Sequence, residues 1–133
     1  MPPRRALIVE DYAEFRQFLH SQLQESLDCV VVGEASDGLQ AVNQAQELQP
    51  DLILLDLALP KMNGMEAARR IRKLCPHSKI VILSQDSSPE IVQGALRQGA
   101  AGYLLKSDAI ELPVAIDEIF QGRVFVSSRA RPG

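Results

Sequence analysis

The chain has 133 residues, 46% of them hydrophobic and 23% charged, a length that suits one domain and lets it bury roughly 65–70% of its unfolded surface without staples. Fourteen Lys and Arg against 17 Asp and Glu leave a net charge of −3, which argues against a strongly basic nucleic-acid binder. No unbroken apolar run exceeds four residues, and the first five residues lead into no signal-peptide core, so no membrane segment is expected; Cys29 and Cys75, far apart and in apolar surroundings, fit neither a disulfide framework nor a zinc site and point to a reducing, cytoplasmic compartment.

Short β-type runs alternate with helical ones. The first strand is expected over 6–10 (ALIVE), followed by a helix whose apolar face repeats through Phe15, Phe18, Leu19, Leu23 and Leu27. A second strand over 29–34 (CVVVGE) precedes a helix with Leu39, Val42, Ala45 and Leu48. The third strand, 52–56 (LILLD), leads to a stripe of Met65, Ala68, Ile71 and Leu74, opposite a solvated basic face of Arg69, Arg70, Arg72 and Lys73. After a fourth strand over 79–83 (KIVIL), Ser88-Pro89-Glu90 is a good helix start and Gly99 a natural stop. The fifth strand is 102–105 (GYLL). A last helix begins after Ser107-Asp108, carries Leu112, Ala115, Ile116, Ile119 and Phe120, and ends at Gly122. The strands are continuous apolar runs, as expected where both faces of a parallel sheet are covered. Five βα units of this size give a three-layer α/β sandwich with right-handed crossovers. Residues 122–133 (GRVFVSSRARPG) differ in composition and look like a linker.

In such a sheet, ligands bind beyond the carboxyl ends of the strands. Those ends carry Glu10-Asp11, Asp56, Ser84 and Lys106. If strands one and three are neighbours, three carboxylates converge. Two unit charges ~5 Å apart repel by roughly 3 kcal/mol at an effective dielectric of 20, so a cation is expected among them. Oxygen ligands completed by water suit Mg²⁺. An ammonium, a hydroxyl and Mg²⁺ all answer phosphoryl oxygens, and Asp56 is then a candidate nucleophile that forms an acyl phosphate.

The ordered set Glu10-Asp11, Asp56-Leu-Ala-Leu-Pro60 with Lys61-Met-Asn-Gly64, Ser84 and Tyr103-Leu-Leu-Lys106 resembles the receiver domain of two-component response regulators. The runs 33–38 (GEASDG) and 99–102 (GAAG) look like the NarL/FixJ (LuxR-type) branch, whose members carry a C-terminal helix-turn-helix. The resemblance spans about 6–121. It implies a flavodoxin-like (βα)5 sheet of order 2-1-3-4-5, with residues 1–121 as the receiver domain and 122–133 as a tail toward an output domain. It implies that Asp56 accepts phosphate from a partner sensor histidine kinase. Mg²⁺ would be held by Glu10, Asp11, Asp56 and the backbone carbonyl of Ala58. Ser84 would move toward the phosphate, Lys106 would pair with it, and Tyr103 stands where the family has its aromatic switch. Phosphorylation would favour a homodimer, and DNA would be bound only through an output domain outside this chain. Three places depart from the pattern, one of them Gln85-Asp86 after Ser84, which adds an acid near the pocket mouth. Glu10 stands where many receivers have Asp, and Ser107 where many have a proline, so a trans bond or an adjusted loop is expected after Lys106.

Each residue also has a plainer reading. Asp11 can cap the first helix, Ser84 can be a strand-end hydroxyl, Tyr103 can be core, and Pro60 and Gly64 are turn residues first. His20 and His77 are assigned no ligand role, and the cysteines read as small buried hydrophobes. A free-standing enzyme is not expected, only self-phosphorylation and self-dephosphorylation. An Asp-nucleophile phosphatase of the haloacid-dehalogenase type would want an acid where Ala58 stands, and no G-x-G-x-x-G supports a dinucleotide binder. A degenerate receiver working unphosphorylated is opposed by the complete acid set. A stand-alone receiver acting on a partner protein is the alternative to the N-terminal part of a transcription factor.

Overall fold

The computed structural model describes residues 2–25 and 28–131. Six parallel strands form one sheet in the order β2-β1-β3-β4-β5-β6. They are β1 (Arg4–Val9), β2 (Cys29–Ala35), β3 (Leu52–Asp56), β4 (Lys79–Ser84), β5 (Gly102–Leu105) and β6 (Phe125–Val126). Between them run α1 (Ala13–Glu25), α2 (Gly38–Leu48), α3 (Gly64–Leu74), α4 (Pro89–Arg97) and α5 (Leu112–Phe120). The expected flavodoxin-like order 2-1-3-4-5 is present, extended by one short strand.

Both faces of the sheet are covered, which is why β1, β3 and β4 are apolar without alternation. On one face Leu7, Val9, Ile53, Leu55, Ile80 and Ile82 meet α2, α3 and α4 through Ala41, Ala45, Ala67, Ile71 and Val92. On the other, Ala6, Ile8, Leu54, Val81 and Leu83 meet α1 and α5 through Leu19, Leu23, Leu112, Ala115 and Ile116. The helices turn slightly differently from the sequence stripes. In α2 and α3 the small residues Ala41, Ala45, Ala67 and Ala68 face inward, while Leu39 and Leu74 are exposed. Two neighbouring helices that lie close to a sheet leave room there for methyl groups rather than isobutyl groups. In α1 Leu19 and Leu23 are buried and Phe18 is exposed; Leu27 lies outside the described residues.

Two boundaries differ from expectation. The chain leaves β5 into a 3-10 turn, Lys106–Glu111, and α5 proper starts at Leu112. Pro113 sets that start, since a proline fits the first turn of a helix and breaks its interior. No peptide bond is cis among the described residues. The linker-like composition from residue 122 onward conceals a packed segment. β6 pairs with β5 (Gly102 with Phe125, Tyr103 with Val126). Ser127 is fully buried; its N–H donates to Tyr103 O at 2.9 Å and its hydroxyl accepts from Leu105 N at 3.0 Å. Asp108 accepts from Arg129 N at 2.9 Å, and Ala130 is buried. Two apolar anchors, Phe125 and Ala130, with a buried hydroxyl between them suffice, and their polar neighbours mask them in the sequence.

The order reverses at β1. α1 leaves β1 across one face toward β2, and the chain returns across the other face to β3. The loops after β1 and β3 therefore diverge and leave a crevice between them.

Candidate functional site

Three strand ends and one adjacent turn build the crevice. β1 runs into Glu10-Asp11, β3 ends on Asp56, β4 ends on Ser84, and Lys106 opens the turn after β5. Glu10, Asp11, Asp56, Ala58, Ser84 and Lys106 all line one cavity of about 1000 Å³. Glu10 and Asp56 are buried, whereas Asp11 is exposed at the mouth. Each of the three offers a carboxylate oxygen within 4.8 Å of the others.

Lys106 answers two of these charges. Its Nζ lies 2.9 Å from Glu10 Oε1 and donates to Asp56 Oδ2 at 3.1 Å. The second Asp56 oxygen, Oδ1, accepts from Ala58 N at 3.0 Å. Glu10 Oε2 accepts from Tyr12 N at 3.1 Å. The approach of Lys106 to Glu10 Oε1 pairs the charges but lies off the hydrogen-bond line, so among the described residues Oε1 is a buried oxygen without a donor aligned to it. Burial raises the Glu10 carboxyl above its ordinary range, and the Asp56 charge adds to this, against Lys106 and the Tyr12 amide. For Lys106, burial alone would lower the ammonium; contact with Glu10 and the charge of Asp56 outweigh it and hold the group above its usual value.

The loop from β3 to α3 is shaped to bring Asp56 forward. Asn63 caps α3, its Oδ1 accepting from Glu66 N at 2.9 Å. A Cβ on Gly64 would collide with Asp56 O and the Leu57 backbone, so only glycine lets the helix start this close to the acid. On the far side, Ser84 Oγ accepts from Asp86 N at 2.9 Å. Tyr103 is fully buried and lies behind the cavity wall, its hydroxyl donating to Asp86 O at 2.5 Å. One loop residue thus links the Ser84 hydroxyl and the Tyr103 ring. Burial raises the Tyr103 hydroxyl pKa.

Of the candidate site residues, Glu10, Asp11, Asp56, Ala58, Ser84 and Lys106 line this cavity and Tyr103 lies directly behind it. Gln85 and Asp86 line the mouth as expected, and the sequence reading misses another part of the wall: Tyr12, Phe15, Asn63, Met65 and Ile91 also line it. Tyr12 directly follows the Glu10-Asp11 pair, which is the available signal. Met65 and Phe15 fall in apolar helix stripes, a pattern that points to core. His20 lies 3.4 Å from Glu34 Oε2 on the surface, away from the cavity. Glu66 sits between Arg69 and Arg70, whose guanidinium groups hold its carboxyl at about 2; the basic face of α3 is in part paired within its own helix. Cys29 and Cys75 are buried.

Residues 6–117 match the response regulator receiver domain model. The chain belongs to the response-regulator receiver family. Receivers of this family are phosphorylation-dependent switches. Among curated relatives, the chain is 37% identical over 131 residues to the nitrate/nitrite response regulator protein NarL of Escherichia coli K12, covering 98% of this chain and 61% of the relative. It is 35% identical to the response regulator protein VraR of Staphylococcus saprophyticus, covering 97% of this chain and 65% of the relative. The chain therefore spans less than two thirds of these relatives. Among solved structures, the signal receiver domain of the NarL-like regulator of Mycobacterium tuberculosis superposes with a TM-score of 0.85 at 34% identity, covering 92% of this chain and all of that one. A LuxR-family response regulator from Aurantimonas sp. SI85-9A1 gives 0.90 at 32% identity, covering 96% and 92%. No helix among the described residues of this receiver is long and apolar enough to cross a membrane.

Proposed function

We propose that Asp56 is the phosphoacceptor of this receiver and that a sensor histidine kinase is its donor. The observation that carries the reading is the Lys106 bridge between Glu10 and Asp56 at the base of a cavity that Asp11 flanks. A carboxylate oxygen of Asp56 attacks phosphorus; the bond from phosphorus to the donor's histidine nitrogen breaks, and the electron pair leaves with the imidazole. The product is an acyl phosphate on Asp56. Lys106 and the Ala58 amide, already on the two oxygens of Asp56, hold the carboxylate in one orientation and donate to charge on the transferred group.

The site suits a hard divalent cation. Glu10 Oε1 is buried without an aligned donor and faces two more carboxylates, which matches the oxygen preference of Mg²⁺. Glu10, Asp11, Asp56 and the Ala58 carbonyl would hold it. Bound there, Mg²⁺ supplies neutralisation of phosphoryl oxygen charge. Water entering the same cavity returns the carboxylate and inorganic phosphate, so the domain would dephosphorylate itself.

Ser84 and Tyr103 supply the switch. Release of the Ser84 hydroxyl from Asp86 toward a phosphoryl oxygen frees the loop that Tyr103 grips, and so alters the α4–β5–α5 surface. That surface change is read as homodimerisation and as control of a DNA-binding output domain C-terminal to this chain, in a cytoplasmic regulator of transcription. A stand-alone receiver acting on a partner protein is the second reading; the gene's reading frame beyond residue 133 separates the two.

The test is acetyl phosphate with Mg²⁺, read by intact mass. One phosphoryl group is expected on the wild type, none with EDTA, and none on Asp56→Asn. A full mass gain in that variant defeats the assignment.

A further inference from the structure

We infer that Phe15 is a positioning residue for Lys106, its ring holding the ammonium within reach of Asp56; the inference rests on the phosphoacceptor reading above. The Lys106 Nζ lies over the Phe15 ring, 5.0 Å from its centroid. The ring face carries partial negative charge and attracts a cation at this distance. Phe15 belongs to the apolar stripe of α1, yet it is only half-buried and lines the cavity beside Asp11 and Tyr12. The ring is itself held in place. It packs at the edge of the α1–α5 core and stacks on Phe18, with centroids 5.8 Å apart and planes 20° from parallel.

Among the described residues, the ammonium contacts Glu10, Asp56 and the Phe15 ring. The first two are the groups that phosphoryl transfer and cation binding reassign. A cation on Glu10 and Asp56 repels the ammonium, and a phosphorylated Asp56 no longer offers the same oxygen. The ring contact is indifferent to both events. A lysine on a flexible four-carbon stem that loses its carboxylates would otherwise swing to water through the open cavity. With the ring beneath it, it stays beside the acceptor and can follow the phosphoryl oxygens.

Plain packing and positioning predict different behaviour. Leucine restores apolar volume but no ring face; tyrosine restores the face. The cation–ring contribution corresponds to about three- to tenfold in rate. Phe15→Leu is expected to take up phosphate from acetyl phosphate about three- to tenfold more slowly than wild type, and Phe15→Tyr within about twofold of it. A second readout needs no phosphate and no metal. The Lys106 ε-methylene protons, assigned by NMR, should carry an upfield ring-current shift that disappears in Phe15→Leu and persists in Phe15→Tyr. A wild-type rate and unchanged Lys106 shift in Phe15→Leu would overturn the inference, as would equal rate losses in both variants. If the wild type takes up no phosphoryl group, the phosphoacceptor reading fails, and the Lys106 shift still decides this one.

Discussion

Replacing Lys106 by methionine keeps most of the stem and removes the charge. At contacts of 2.9 and 3.1 Å, each pair is worth about 5–6 kcal/mol at an effective dielectric of 20 before solvation is counted. Removing the ammonium leaves Glu10 and Asp56, both buried, facing each other with no cation. Breaking a buried pair in this way costs about 3–5 kcal/mol. The Lys106 side chain is 18% exposed and the cavity opens to water, so a loss nearer 2–4 kcal/mol is expected at pH 8. The loss depends on pH. The Glu10 carboxyl already lies above its ordinary range and rises further without Lys106. For an acid whose folded pKa is raised, the destabilisation is complete above the folded pKa and is relieved as pH falls toward the unfolded value of 4.5. Urea unfolding of both proteins at pH 8 and pH 5 should therefore show the gap shrink at the lower pH. At pH 8, millimolar Mg²⁺ should recover part of it by binding only the folded state. An equal gap at both pH values, untouched by Mg²⁺, would mean that these carboxylates do not share one electrostatic site.

Three further outcomes are expected. Mg²⁺ affinity should weaken as pH falls from 8 toward 5, because the raised Glu10 pKa brings proton competition in above 4.5; titration calorimetry at three pH values checks this, and a flat profile counts against Glu10 as a ligand. Ser127→Val should cost about 1–3 kcal/mol, since the Leu105 amide loses its acceptor in a buried place; urea unfolding and faster hydrogen exchange at Leu105 read it, and no change would mean that the β6 segment does not stay docked. Gly64→Ala should push α3 off the Asp56 loop, costing about 1–3 kcal/mol as overpacking and slowing phosphorylation; a variant with wild-type stability would show that the helix start yields freely.

The five-strand frame could be read from the chain, because short runs such as LILL and IVIL have no polar face, as a doubly covered parallel strand requires. The polar residues that end those runs stood out for the same reason: Asp56 and Ser84 are where the apolar run stops, although both are still buried and line the cavity. The helix faces were less legible. A 3.6-residue repeat locates an apolar stripe but not the depth of each position, so Ala41 and Ala67 proved more buried than Leu39 and Leu74. β6 was hidden because a two-residue strand has no periodicity, and its stability comes from Tyr103 O, Leu105 N and Asp108, all distant in sequence.

Sequence alone determined which groups carry charge and at which strand ends they stand. Tertiary structure decided what those groups do to each other. Only the reversal of strand order at β1 brings Glu10 beside Asp56, only the turn after β5 sets one ammonium between them, and only the pitch of α1 lays the Phe15 ring against that ammonium. Electrostatic energy depends on separation and on exclusion of water, and both are properties of packed space rather than of order along a chain.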